Sequence, residues 1–230
     1  MMPLSVKVCG VTNVHDAQRA TECGATHLGL IFVASSPRWV TPDSARELGN
    51  WQRKKTMPLV GVFKDPSAEE VKHAIDTAKI SLVQLHGKES VEFCRDLAGE
   101  HRLPLIKTIE IDPAVVDPLA SLREQIARYA PVAQYFLFDK PKNSHDDAGT
   151  NWLATAMALL KQATPFPLPY FFAGGLNAGN VAAVISELQP FGVDVASGIE
   201  SRPGVKDLEK MQDFFQAAHR HNAASEGVRS

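Results

Sequence analysis

The 230-residue sequence predicts one (β/α)8 TIM barrel, because eight short apolar runs alternate with longer amphipathic segments. Each strand–helix unit takes about 29 residues, which is the spacing of a small barrel. No low-complexity linker divides the chain, so we expect a single domain over residues 1–230, with a core of about 5–218 and a polar C-terminal tail. A doubly wound open sheet is the competing arrangement, but no GxGxxG turn follows the first apolar run.

The apolar runs are predicted to form eight strands: Val6–Cys9, His27–Phe32, Pro58–Phe63, Leu82–Leu85, Pro104–Thr108, Ala133–Phe138, Pro169–Phe172 and Val193–Ala196. Amphipathic segments between them are predicted to form helices, among them Val14–Cys23, Pro42–Arg53, Ser67–Ala78 and Asn177–Leu188. Several begin at good capping residues: Asn13, Thr41, and Ser67 with Glu70 three residues later. In a barrel, functional groups lie at the carboxyl ends of the strands, so we expect the candidate residues there.

Composition and charge exclude several classes of function. A net charge of -2 and an isoelectric point near 6.4 predict neither a nucleic acid nor a membrane surface as partner. Three cysteines without a CxxC pair, and histidines without ligand spacing, predict neither a disulfide framework nor a metal site. The N-terminus lacks the pattern of a signal peptide, and no apolar run is long enough to span a membrane. We therefore expect a cytoplasmic protein.

Two glycine-containing loops predict a phosphate site. Gly174 and Gly175 follow the seventh strand, and Ser197 and Gly198 follow the eighth. Glycine lets backbone N–H groups approach a ligand closely, and the N-terminus of a following helix favours an anion. In barrels, the loops after strands seven and eight often bind phosphate. The alternative, that the glycines only end strands and form turns, explains one such loop better than it explains both.

Two side chains at strand ends are candidates for proton transfer. Period-two alternation places Lys7 and Cys9 on the same face of the first strand. If that face is the inner one, the lysine needs a partner, and Asp194 on the neighbouring eighth strand can supply it. Asp139 ends the sixth strand, where a carboxyl group is a proton-transfer candidate. The alternative for Cys9 is an inert buried thiol. The alternatives for Asp139 are a loop cap and a partner for Lys140.

Two further side chains are candidates for ligand binding. Arg38 lies in the loop after the second strand, and its guanidinium suits a carboxylate or a phosphate. His86 follows the fourth strand, where an imidazole can form a hydrogen bond with a ligand. A surface arginine and a structural histidine are the alternatives for these two positions.

Taken in order, these segments resemble the phosphoribosylanthranilate isomerase family of tryptophan biosynthesis. The resemblance covers roughly residues 5–215, and no single piece of it is specific, whereas the ordered set is. Its main segments are Lys7-Val8-Cys9-Gly10-Val11-Thr12, Ser36-Pro37-Arg38-Trp39-Val40, Val83-Gln84-Leu85-His86-Gly87, Ala173-Gly174-Gly175-Leu176-Asn177, Val193-Asp194-Val195-Ala196-Ser197-Gly198-Ile199-Glu200, Pro203-Gly204 and Lys206-Asp207.

The resemblance implies an Amadori rearrangement of N-(5'-phosphoribosyl)anthranilate to 1-(2-carboxyphenylamino)-1-deoxyribulose 5-phosphate, without cofactor or metal. It implies that Asp139 is the general acid that opens the ribose ring and that Cys9 is the general base at C2. Arg38 would bind the anthranilate carboxylate. Asp194 is implied to contact the sugar, and Gly174, Gly175, Ser197 and Gly198 are implied to surround the phosphate. A monomer and a homodimer are both compatible with the sequence.

One loop departs from the family pattern. After the sixth strand the family has a glycine-rich run followed by Phe-Asp-Trp, whereas this chain has Ser144–Asp147, with Asn151 as a helix cap and Trp152 retained. We expect Ser144–Asp147 to form a lid held by side chains. Two alternatives stay open: a related isomerase of histidine synthesis, which has an aspartate where Cys9 stands, and a diverged phosphosugar-binding barrel without isomerase activity.

Overall fold

Eight parallel strands form a closed barrel in a computed structural model that describes residues 3–53, 55, 57–142 and 151–226. The first and last strands pair in parallel, which confirms the (β/α)8 barrel and makes the open doubly wound sheet wrong. The strands are Ser5–Cys9 (β1), His27–Ile31 (β2), Leu59–Phe63 (β3), Leu82–Leu85 (β4), Leu105–Glu110 (β5), Tyr135–Asp139 (β6), Tyr170–Phe172 (β7) and Gly192–Val195 (β8).

Seven helices follow the first seven strands: Val14–Cys23 (α1), Pro42–Gln52 (α2), Ala68–Ala78 (α3), Val91–His101 (α4), Pro118–Tyr129 (α5), Trp152–Ala163 (α6) and Val181–Leu188 (α7). The predicted caps are confirmed, because the side chains of Asn13, Thr41 and Ser67 each accept a backbone hydrogen bond from the first turn. Ser67 and Glu70 form the complete capping box. None of the described helices is both long and apolar enough to cross a membrane.

The predicted start of α7 at Asn177 is wrong, since the helix begins at Val181. The Asn177 side chain accepts a hydrogen bond from the backbone N–H of Gly179 at 2.8 Å, and the Asn180 side chain accepts one from Asn177 at 2.9 Å. Such local bonds from asparagine hold a turn instead of a helix. The loop after β7 is therefore longer than its sequence predicts.

The chain after β8 also differs from the expectation of a helix directly behind Ser197. A three-residue 3-10 turn, Ser197–Ile199, leads into two short antiparallel strands, Glu200–Arg202 (β9) and Val205–Lys206 (β10). The last helix, Leu208–Glu226 (α8), follows them and extends past His219, whereas composition predicts a polar tail from there.

Apolar side chains fill two layers, one inside the barrel and one between the barrel and the helices. The inner layer includes Val60, Leu82, Ile106, Leu137 and Phe171, which close the barrel below its carboxyl end. Because the interior is packed, a ligand has access only from the end where Cys9 and Asp139 terminate their strands.

Candidate active site

A cavity of about 370 Å³ opens at the carboxyl ends of the strands, which is the size of a small-molecule site. It brings together every predicted site residue except Gly198. Those that line it are Cys9, Arg38, His86, Asp139, Gly174, Gly175, Asp194 and Ser197. Within the described part of the chain, no group of three or more His, Cys, Asp or Glu side chains is placed to hold a metal ion.

Cys9 lies at the end of β1 and is buried against the neighbouring strand β2. Gly29 of β2 leaves the space for it, because a Cβ there would lie only 2.9 Å from the Cys9 Sγ. Burial raises the pKa of the Cys9 thiol above its ordinary value, and the Asp194 charge adds to this rise. The charges of Lys7 and Lys206 oppose it. The raised pKa therefore favours the thiol form of Cys9 at neutral pH.

Lys7 and Asp194 form a buried ion pair beside Cys9, with 3.0 Å between Nζ and Oδ1. This confirms the partner predicted for the lysine from strand alternation and barrel closure. Burial disfavours the charge of Lys7, but Asp194 and Cys9 outweigh burial and raise the pKa of the lysine. The second carboxylate oxygen, Oδ2 of Asp194, has no protein donor among the described residues, and it remains available to a ligand hydroxyl.

Asp139 ends β6 at the rim of the cavity, where its Oδ1 accepts a hydrogen bond from the backbone N–H of Lys140 at 2.7 Å. Burial raises the pKa of Asp139, although His86, the Lys140 N–H and Lys7 act in the opposite direction. The His86 Nε2 lies 3.8 Å from Asp139 Oδ2 and 3.6 Å from Glu110 Oε1, too far for either hydrogen bond. The raised pKa suits a carboxyl group that has to donate a proton.

Arg38 reaches the cavity from the loop after β2 and is held by Glu200 of β9, a partner that sequence reasoning missed. Its Nε and Nη2 donate to both Glu200 oxygens at 2.7–3.1 Å. Gly10 makes room for the arginine side chain, because a Cβ at that position would lie 2.7 Å from the Arg38 Cδ. Contacts between residues 162 positions apart leave no local signal in the sequence.

Gln84 lines the cavity and is a second functional candidate that sequence reasoning missed. Its side-chain nitrogen donates to Thr108 Oγ1 at 3.1 Å, whereas its buried oxygen, Oε1, has no partner in the described part of the chain. A buried polar atom without a partner costs free energy, so this oxygen is a candidate acceptor for a ligand. Strand alternation in Leu82–Leu85 was the signal that could have placed Gln84 inside the barrel.

The two glycine loops differ in what their glycines do. Gly174 and Gly175 have φ values of 95° and 74°, which favour glycine. A Cβ at Gly175 would meet no atom within 4 Å, whereas one at Gly174 would lie 2.5 Å from the Trp152 ring. Gly198 does not line the cavity, and a Cβ there would lie 1.9 Å from the carbonyl oxygen of Leu176. Gly198 therefore lets the loop after β8 pack directly against the loop after β7.

The predicted lid, Ser144–Asp147, lies outside the described residues. The chain that follows confirms the predicted cap, because the Asn151 side chain accepts a hydrogen bond from the backbone N–H of Ala154 at 3.3 Å. Trp152 is buried, and its Nε1 donates to the carbonyl oxygen of Ile111 at 2.9 Å.

A sequence model of the family described as N-(5'-phosphoribosyl)anthranilate (PRA) isomerase matches residues 6–217. The chain belongs to this family. The N-(5'-phosphoribosyl)anthranilate isomerase of Rhizobium johnstonii is 35% identical over 220 residues, which cover 95% of each protein. The enzyme of the same name from Brucella canis is 35% identical over 223 residues, covering 96% of this chain and 97% of that protein.

Solved structures agree with this membership of the PRA isomerase family. The phosphoribosyl anthranilate isomerase of Thermotoga maritima superposes with a TM-score of 0.79 at 29% identity, covering 95% of this chain and all of that one. A phosphoribosyl anthranilate isomerase in complex with reduced 1-(o-carboxyphenylamino)-1-deoxyribulose 5-phosphate superposes with a TM-score of 0.77 at 28% identity and the same coverage. The resemblance predicted from the sequence is thus confirmed.

Proposed function

We propose that this PRA isomerase converts N-(5'-phosphoribosyl)anthranilate into 1-(2-carboxyphenylamino)-1-deoxyribulose 5-phosphate, an aldose–ketose isomerisation within tryptophan biosynthesis. Membership of the family over residues 6–217 supports this reaction. The observation that carries the assignment of roles is that a thiol, Cys9, and a carboxyl group with a raised pKa, Asp139, line one cavity. These are the two proton-transfer groups that the rearrangement needs.

The substrate has a carboxylate at one end and a phosphate at the other, and the cavity offers a site for each. Arg38 binds the anthranilate carboxylate, while Gly174, Gly175 and Ser197 surround the phosphate, with Gly198 holding their loops together. When the carboxylate and the phosphate of the substrate are both bound, the ribose is held between these two sites, next to the carboxyl ends of the strands. Such positioning supplies a large part of the rate enhancement of an intramolecular reaction.

The first step is the opening of the ribose ring. Asp139 donates its proton to the ring oxygen, the bond from that oxygen to C1 breaks, and the nitrogen lone pair forms a C1–N double bond. The product is an open-chain, protonated Schiff base. Burial raises the pKa of Asp139 and so keeps a proton available for this transfer.

The second step is the removal of the C2 proton by the Cys9 thiolate. The electrons of the C2–H bond form a C1–C2 double bond, and those of the C1–N double bond return to nitrogen. The resulting enolamine becomes the ketone when C1 gains a proton and the C2 hydroxyl loses one. The cationic Schiff base adds to the charges of Lys7 and Lys206, which already favour the thiolate. Ring opening therefore favours loss of the Cys9 proton to the solvent of the open cavity, which leaves the thiolate that takes the C2 proton.

Two polar groups are proposed to bind the sugar hydroxyls. Asp194 Oδ2 accepts a hydrogen bond from one hydroxyl, because Lys7 contacts only the other oxygen of that carboxylate. His86 Nε2 is buried and has no hydrogen-bond partner within the described ranges, so it is also available to the substrate.

Turnover of N-(5'-phosphoribosyl)anthranilate by the purified protein, followed as loss of anthranilate fluorescence, tests the reaction and the roles. Cys9→Ser and Asp139→Asn should each lower kcat by roughly 10²–10⁴ with little change in KM. Cys23→Ser, at the end of α1 and outside the cavity, is the matched control and should leave both constants unchanged. A wild-type kcat in either site variant would remove that residue from the mechanism, and substrate binding without turnover in the wild type would favour the diverged binding barrel.

We also propose that the enzyme works in the cytoplasm. Cys9, Cys23 and Cys94 are free thiols, as expected in a reducing compartment. Cell fractionation with an antibody to the chain tests this location, and recovery of the chain from an oxidising compartment would contradict it.

A further inference from the structure

Glu200 is a buried carboxylate that lies between Arg38, which lines the cavity, and the buried Lys206. On one side it accepts three hydrogen bonds from Arg38, and on the other it accepts one from Lys206 Nζ at 2.9 Å. We propose that Glu200 is a positioning residue, which aims the Arg38 guanidinium at the carboxylate of the substrate. The inference rests on the proposed function, in which Arg38 binds that carboxylate.

The hydrogen bonds of Arg38 leave one edge of its guanidinium available. Glu200 occupies the edge formed by Nε and Nη2. The Nη1 group and the second N–H of Nη2 form the other edge, and no partner contacts Nη1 within the described residues. A guanidinium can bind two carboxylates at once through two edges. The substrate carboxylate therefore has a bidentate site on Arg38 without displacing Glu200.

Lys206 ties this pair to the catalytic end of the barrel. Its Nζ, fully buried, donates to the carbonyl oxygens of Cys9 at 2.6 Å and Ala196 at 3.2 Å as well as to Glu200. The Arg38 guanidinium is thus connected through two side chains to the backbone of the general base. This connection sets the separation between the carboxylate anchor and the thiol that takes the C2 proton.

The charges of the cluster are also suited to one more anion. Glu200 carries one negative charge between the two cations Arg38 and Lys206. Burial acts to raise the pKa of Glu200, but the two cations outweigh it and hold the carboxyl group ionised. Burial lowers the pKa of Lys206, so the charge that remains for the substrate carboxylate is that of the Arg38 edge which Glu200 does not contact.

The same contacts allow an opposite reading, in which Glu200 competes with the substrate for Arg38. The two readings predict KM changes of opposite sign. If Glu200 positions Arg38, removal of its charge weakens substrate binding and KM rises. If Glu200 competes, the same change releases Arg38 and KM falls.

A double-mutant cycle between Glu200→Gln and Arg38→Ala tests the inference. Glu200→Gln should raise KM for N-(5'-phosphoribosyl)anthranilate about tenfold and leave kcat within about threefold, since a hydrogen bond to a charged group is weakened. Arg38→Ala should raise KM by about 100-fold. Because Glu200 acts through Arg38, adding Glu200→Gln to Arg38→Ala should change KM by less than about twofold.

The other possible KM values distinguish a failure of the positioning role of Glu200 from a failure of the binding role of Arg38. An unchanged or lowered KM in Glu200→Gln, or full multiplication of the two effects in the double variant, would overturn the positioning role while Arg38 keeps its own. An unchanged KM in Arg38→Ala would overturn the binding role of Arg38 and the inference with it.

A second variant separates positioning from loss of the fold. Glu200→Gln leaves the buried Lys206 charge without its acidic partner, which destabilises the protein. Glu200→Gln combined with Lys206→Met removes both charges and still releases Arg38, so KM should rise by about the same tenfold factor. A wild-type KM in this folded double variant would contradict the inference.

Discussion

A methyl group at Gly198 would separate the two loops that we propose to bind the phosphate. A Cβ added there would lie 1.9 Å from the Leu176 carbonyl oxygen and 3.1 Å from the Asn177 Cα. Ordinary contacts are about 3.5 Å, so Gly198→Ala requires a displacement of roughly 1.5 Å. Both neighbours are backbone atoms, and the loops themselves must move.

The displacement sets the size of the expected effect. Misplacement of a binding group by about 1 Å can cost a factor of about 10². We therefore expect Gly198→Ala to raise KM for the phosphoribosyl substrate between about 10-fold and 100-fold. Forcing a methyl group into a packed contact also costs about 1–3 kcal/mol of unfolding free energy, which lowers Tm by roughly 2–12 °C in a chain of this length.

Steady-state kinetics and competition by inorganic phosphate provide the assay. The inhibition constant of phosphate should rise in parallel with KM, because both ligands use the separated loops. Gly99→Ala in α4 is the matched control: a Cβ there meets no atom within 4 Å, so KM should not change and stability should rise by up to about 1 kcal/mol. A wild-type KM and phosphate affinity in Gly198→Ala would refute the reasoning.

Three further outcomes follow from the buried polar groups. Burial raises the pKa of Cys9, so the rate of its alkylation by iodoacetamide in the ligand-free enzyme should rise with pH with a midpoint above the ordinary thiol pKa of about 8.5. Mass spectrometry locates the alkylated cysteine, and a midpoint below that value would contradict the prediction. Glu89→Gln breaks a buried ion pair with Lys107, 2.8 Å long, so urea denaturation should show a loss of about 3–5 kcal/mol, and a loss below about 1 kcal/mol would be too small. Gln84→Leu removes the unpartnered amide oxygen and should raise KM about tenfold. The control, Thr108→Val, removes only the partner of the amide nitrogen and should raise KM less than about threefold. Equal KM changes in the two variants would argue against a contact between Gln84 and the substrate.

The fold could be predicted because its signals are local. Each strand is a short apolar run, and the caps at Asn13 and Ser67 act within a single turn. The start of α7 was wrong for an equally local reason: the side chains of Asn177 and Asn180 bond to nearby backbone groups and delay the helix. The spacing of apolar residues that predicts a helix gives no information on these side-chain hydrogen bonds.

The site was predictable where strand alternation, barrel closure and the position of functional groups at the carboxyl ends of the strands apply. These rules placed Lys7 beside Asp194 and put Cys9 inside the barrel. They contain no information on Glu200, whose contact with Arg38 spans 162 positions, or on the bond from Lys206 to the Cys9 carbonyl, which spans 197. Such partners are determined by how the loops pack after the barrel has closed.

The kinetic isotope effect of a C2-deuterated substrate tests the two proton-transfer roles most directly. Weakening the base with Cys9→Ser should make C2–H cleavage limiting, so the isotope effect on kcat should exceed that of the wild type. Weakening the acid with Asp139→Asn should make ring opening limiting, so the isotope effect should fall towards one. The opposite order, or equal isotope effects in the two variants, would contradict the assignment of Cys9 as base and Asp139 as acid.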